Sequence, residues 1–148
     1  MRMNWRMNTE EWIRTKRGNR KKRILVVDDE GFLVDIIFEI LDSHGFHVLT
    51  ATSGEEALQI AKKGPPVDLL LSDLVMKPMN GLELAAELKQ SNPEIKLLFM
   101  SGYTEDYIRE NLGILTVPFL VKPISADDLL EKIPKLLGIN IPDVKPEN

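Results

Sequence analysis

Carboxylates stand at the ends of apolar runs in this sequence. Leu69-Leu70-Leu71-Ser72 leads into Asp73, and Ile24-Leu25-Val26-Val27 leads into Asp28-Asp29-Glu30. The run Ile95 to Met100 ends in Ser101-Gly102, and Phe119-Leu120-Val121 ends in Lys122-Pro123. Three carboxylates within a few ångströms repel one another, and such a cluster is tolerable when a divalent cation sits among them. The chain has no Cys and two His, so an all-oxygen donor set points to Mg2+ or Mn2+ rather than zinc. One acid can instead serve as a nucleophile that accepts a phosphoryl group as an aspartyl-phosphate. A neighbouring cation and an ammonium such as Lys122 would then neutralise charge on the transferring group, and a hydroxyl such as Ser101 would bond one of its oxygens. Taken singly, each residue has a plainer use. Asp28 or Asp29 alone would cap a helix, and Ser101-Gly102 alone would make a turn. Their joint occurrence at separate strand ends is what signals function.

The elements that must position these groups are legible as an alternation. Apolar residues on successive positions predict strands covered on both faces, as in a parallel sheet. A first helix is expected from Phe32 to Ser43, with Phe32, Ile36, Ile37, Ile40 and Leu41 at helical spacing and Gly45 as a stop. Phe46 to Thr50 follows as a second strand. Ser53-Gly54-Glu55-Glu56 reads as a capping box opening a helix that Gly64 and Pro65-Pro66 close. A third helix is expected from Leu82 to Lys89, and a fourth from about Thr104 to Asn111. Ser125 starts the last, in which Pro134 predicts a kink or an end before Leu136. Five βα units give an α/β fold, a doubly wound five-stranded parallel sheet with helices on both faces. Right-handed crossovers leave few topologies, among them the flavodoxin-like order 2-1-3-4-5. In that order Asp28, Asp29 and Asp73 meet at the switch point.

At 148 residues and 43% hydrophobic content, the chain suits one domain. No apolar run approaches the ~20 residues of a membrane span, and the basic N-terminus precedes no signal-peptide core. With no Cys, the reading is a soluble chain in a reducing cytoplasm. The net charge of -4 is unevenly spread: residues 1–23 carry nine Lys/Arg against Glu10 and Glu11, and the remainder is acidic. Residues 1–22 thus form a basic arm, with a short helix expected after Asn8 and with Trp5 and Trp12 on it. A solvated tail or linker is the expected role of such an arm, ahead of contact with nucleic acid, an acidic partner or a membrane surface. Residues 23–138 form the domain, and 139–148 a tail.

These four motifs, in this order, resemble the receiver domains of two-component response regulators over about Arg23 to Leu137: Ile24 to Glu30, Asp73 with Met76, Met79 and Gly81 following, Ser101-Gly102, and Lys122-Pro123. The resemblance implies that Asp73 accepts a phosphoryl group from a histidine kinase or histidine phosphotransfer domain. It implies that Asp28, Asp29, Asp73 and the Val75 backbone carbonyl bind Mg2+. Ser101 and Lys122 would contact the phosphoryl group, and the Lys122–Pro123 bond would be cis. Ser101 and Phe119 would form the switch pair that reshapes the surface of the fourth helix, fifth strand and fifth helix for a downstream protein target. Val75 and Tyr103 would flank the phosphoryl group, and neither carries a charge suited to position an attacking water, so slow self-dephosphorylation is expected. The family has Pro where Lys77 stands, and here Pro78 follows it. The loop to Gly81 keeps its length, so an altered loop with intact chemistry and an exposed Lys77 is expected.

His44 and His47 are read as structural or exposed, so the chain receives phosphate and does not generate it. No direct nucleic-acid binding is expected of the domain. A homodimer through the fourth and fifth helices is compatible with the fold, without support of its own. Only ten residues follow Gly138, so the expectation is either a stand-alone regulator or a receiver excised from a hybrid sensor kinase. Two rival chemistries are weaker. An aspartyl-phosphate phosphatase or phosphotransferase wants a second acid two residues beyond its nucleophile, where Val75 stands, and a cap. An FMN protein wants a Ser/Thr/Gly-rich loop where Asp28-Asp29-Glu30 would repel phosphate. A phosphorylation-independent docking module is the reading that would follow if Lys77 and Pro78 have spoiled the site.

Overall fold

The computed structural model describes residues 21–112 and 117–140. The expected helix after Asn8, Trp5, Trp12 and the tail beyond Asn140 lie outside those residues. Strands β1 (Arg23–Val27), β2 (His47–Ala51), β3 (Leu69–Asp73), β4 (Lys96–Ser101) and β5 (Phe119–Val121) alternate with helices α1 (Gly31–Asp42), α2 (Gly54–Lys62), α3 (Gly81–Ser91), α4 (Glu105–Leu112) and α5 (Ala126–Leu137). The strands form one parallel sheet in the order β2-β1-β3-β4-β5, as expected.

The central strands are apolar without alternation because both of their faces are covered. Odd and even positions divide between two cores. Leu25, Val27, Leu70 and Phe99 pack under α2, α3 and α4 with Ala57, Leu84, Leu88 and Ile108. Ile24, Val26, Leu69, Leu71, Leu98 and Met100 face α1 and α5, with Val34, Ile37, Leu41, Leu129 and Ile133. All five residues of β3 are buried, which makes it the central support of whatever its C-terminal end carries.

Helix α1 differs from the expected apolar set. Its buried stripe is Val34, Ile37 and Leu41, whereas Phe32 is 80% and Ile36 41% exposed. At 3.6 residues per turn, Phe32 lies about 200° around the helix from Val34. The two cannot both face the sheet, and it is Val34 that joins the core with Ile24 and Val26. The caps also differ in detail. Ser53 Oγ accepts from Glu56 N–H, but the Glu56 carboxylate accepts from Thr52 N–H, so the second bond falls one residue before the cap. A complete capping box closes instead at Asn80 and Glu83, which starts α3 at Gly81. Helix α5 runs unbroken to Leu137, so the expected end before Leu136 is corrected. Pro134 stands one turn from the terminus and removes a single hydrogen bond. The end is sealed by Gly138 at φ 66°, with Gly138 N–H and Ile139 N–H bonding the Lys135 and Pro134 carbonyls.

Candidate functional site

Register alone brings the chemistry together. Val27 pairs with Ser72 across β1 and β3, Asp73 pairs with Met100, and Ser101 pairs with Val121. Asp28 and Asp73, each one residue farther than Val27 and Ser72, are therefore level neighbours, with Ser101 and Lys122 next along the same edge. Asp28 is fully buried and Asp73 nearly so, whereas Asp29 is exposed. One carboxylate oxygen from each of these three lies within 4.8 Å of the others. Asp28 Oδ1 accepts from Glu30 N–H at 2.9 Å, and its Oδ2 is buried without a hydrogen-bond partner. The Lys122 ammonium approaches that oxygen at 2.9 Å as an ion pair, and also lies 3.5 Å from Asp73 Oδ2 and 3.4 Å from Glu30 Oε1.

Burial, and then the Asp28 charge, push the Asp73 carboxyl up from 3.8 to about 6, against the pull of Lys122 and the long bond from Val75 N–H. Burial alone would lower Lys122. Its contact with Asp28 and the charges of Asp73 and Asp28, aided by Glu30, outweigh that and hold it above its ordinary value. One ammonium thus serves three carboxylates, and the cluster carries excess negative charge. An all-oxygen donor set whose carboxylates outnumber the one ammonium beside them suits a hard divalent cation.

The family model of the response regulator receiver domain matches residues 24–134. The chain belongs to this family. Sensor kinase CckA of Brucella abortus (strain 2308) is 39% identical over 118 residues, covering 74% of this chain and 12% of that kinase. Sporulation initiation phosphotransferase F of Bacillus subtilis (strain 168) is 29% identical over 119 residues, covering 80% of this chain and 95% of the relative. The chain thus spans a small part of one relative and nearly all of the other. The response regulator protein TrrA from Thermotoga maritima, solved in complex with Mg2+-BeF, is similar at a TM-score of 0.67 and 35% identity, over 78% of this chain and 98% of that one. Receiver domains are signalling phosphoacceptors, and no described helix is long and apolar enough to cross a membrane.

In this receiver the other expected positions stand at the rim, in the buried edge of the sheet and in the core. Val75 and Tyr103 stand at the rim, 50% and 43% exposed. Ser101 is buried, its Oγ accepting from Tyr103 N–H at 3.0 Å, and the Tyr103 ring stacks on Tyr107 at 4.5 Å between centroids. Phe119 stands apart from the carboxylates, partly buried against the core under α4 and level with Phe99. The Lys122–Pro123 bond is cis, as the resemblance implies, and so is Lys77–Pro78, which the sequence reading did not anticipate. Lys77 is exposed. Gly81 has no room for a side chain, because a Cβ would collide with the Asp73 carbonyl oxygen. His44 bonds the Ile40 carbonyl through Nδ1 at 2.8 Å and His47 is exposed. Glu30 is the residue to which the sequence reading gave no role. Its place as the third acid of Asp28-Asp29-Glu30 was the available signal, but its link to Lys122, 92 residues away, needs the fold.

Proposed function

We propose that Asp73 is the phosphoacceptor of this receiver, taking the phosphoryl group of a phosphohistidine on a histidine kinase or phosphotransfer domain. One observation carries the reading: a nearly buried carboxylate at the end of β3 has two more carboxylates within 4.8 Å and an ammonium at 3.5 Å. An ionised Asp73 oxygen attacks phosphorus, the N–P bond breaks, and the departing imidazole nitrogen takes a proton from solvent. With acetyl phosphate the P–O bond to the acyl group breaks and acetate leaves. Lys122 faces the incoming oxygens, and the Ser101 hydroxyl has an O–H left to donate, since it accepts from Tyr103 N–H. Asp28, Asp29, Asp73 and the Val75 carbonyl would hold Mg2+, or Mn2+ in its place, which when bound supplies positive charge against the transferring group.

Modification of Asp73 then shifts a pre-existing equilibrium. Ser101 moves toward the new oxyanion and Phe119 turns inward, altering the α4–β5–α5 face seen by a downstream protein. The only reaction catalysed is the domain's own phosphorylation and dephosphorylation, in a cytoplasmic setting. Val75 and Tyr103 offer no charge to orient a hydrolytic water, so the phosphorylated form is long-lived, and Tyr103→Glu or Val75→Asn is expected to shorten its life. The test is intact mass after incubation with acetyl phosphate, with and without Mg2+. A Mg2+-dependent gain of one phosphoryl group, lost in Asp73→Asn, is the expected result. A folded wild type that gains nothing would overturn the reading in favour of a docking module.

A further inference from the structure

Glu30 is the N-cap of α1, yet its side chain does not cap. Its carbonyl accepts from Leu33 N–H and Val34 N–H, and its own N–H goes to Asp28 Oδ1. The carboxylate makes no capping hydrogen bond, and the first turn of α1 holds no acidic residue. A cap would normally use its side-chain oxygen on the free N–H groups of that turn. Here Oε1 instead lies 3.4 Å from Lys122 Nζ, nearly as close as Asp73 at 3.5 Å and farther than Asp28 at 2.9 Å.

The three partners of Lys122 differ in position. Asp28 lies on the fully buried side, and when it serves as a metal ligand its charge is no longer available to the ammonium. Glu30 is 67% exposed and stands on the solvent side. We propose that Glu30 is a positioning residue, whose carboxylate keeps the Lys122 ammonium beside Asp73 while Asp28 is engaged as a metal ligand. The inference rests on Asp73 being the acceptor. Glu30 touches neither the donor nor the reacting atoms and acts through Lys122 alone.

Glu30→Gln preserves the backbone cap and removes only the charge. The decisive measurement is the rate constant for acetyl phosphate labelling at saturating Mg2+, paired with Mg2+ affinity by calorimetry. The expected result is a rate about 3-fold lower, the equivalent of about 0.65 kcal/mol at 1.36 kcal/mol per tenfold, with the difference erased by high salt because the pair is exposed. Asp35→Asn, which removes an exposed acid elsewhere on α1, should leave the rate unchanged. An unaltered Glu30→Gln rate would overturn the inference. So would a loss lying wholly in Mg2+ affinity, or an equal loss in Asp35→Asn, since each would make Glu30 a mere contributor to local potential. Because the wild type is labelled in the same assay, failure of this inference is separate from failure of Asp73 as acceptor.

Discussion

Replacing Asp73 by Asn should stabilise the metal-free protein, although it removes the acceptor. In the folded state the carboxyl is pushed from 3.8 to about 6, first by burial and then by Asp28. Below pH 3.8 the group is neutral in folded and unfolded chains alike and carries no penalty. Between 3.8 and about 6 the folded protein holds the proton more tightly than the unfolded chain, so stability is lost as pH rises through that window. Above about 6 the penalty is complete. At about 1.36 kcal/mol per pH unit, its ceiling is about 3 kcal/mol. Asp29 is exposed, so water reaches one side of the cluster and screens part of this, which leaves about 1–2 kcal/mol. The assay is urea denaturation of wild type and Asp73→Asn in excess EDTA across the window. The variant should be more stable by about 1–2 kcal/mol near pH 7.5, with the gap closing toward about pH 4. Saturating Mg2+ should stabilise wild type more than the variant. No gap near neutrality would refute the electrostatic reasoning, and a gap constant with pH would assign it to packing.

Three further outcomes follow from the same geometry. Gly81→Ala forces a Cβ against the Asp73 carbonyl oxygen, and should lower stability by about 2 kcal/mol in urea melts while slowing acetyl phosphate labelling through displacement of the acceptor. Lys122→Ala strips the fully buried Asp28 carboxylate of its counter-ion. In EDTA this should destabilise by about 2 kcal/mol, less than a fully buried pair because the lysine is partly exposed, with Mg2+ recovering part of the loss in thermal melts. On α1, Leu41→Ala should destabilise by about 3 kcal/mol, whereas Phe32→Ser should stay within about 0.5 kcal/mol. Equal effects of those two changes would mean that α1 is rotated relative to the arrangement described.

The sheet was readable because its signal is local. Leu69-Leu70-Leu71 cannot be a half-exposed strand, and four such runs separated by helical spacing leave few parallel topologies. What failed was rotation about a helix axis. Phe32, Ile36, Ile37, Ile40 and Leu41 satisfy a helical period, but so do Val34, Ile37 and Leu41, and only docking on β1 and α5 selects between the two stripes. Helix α3 begins one residue before the expected Leu82, because Asn80 and Glu83 close a capping box that makes Gly81 its first residue, with the Asp73 carbonyl oxygen where a Cβ would stand.

The carboxylates were legible for a further reason: register turns four separated motifs into one edge, and each strand needs only to end at the same level. The contacts of their side chains were not. Whether Asp28 capped α1 or faced a cation depended on where its two oxygens point, and in the fold Oδ1 takes the Glu30 N–H while Oδ2 meets the Lys122 ammonium. The cap position itself went to Glu30, whose carboxylate turns away from the helix toward Lys122. In the sequence these are three consecutive acids. In the fold the first is buried against the Lys122 ammonium, the second is open to water, and the third reaches that ammonium from the solvent side, beside Asp73. Equal charge at adjacent positions thus acquires unequal roles, because burial and the strand opposite differ at each step.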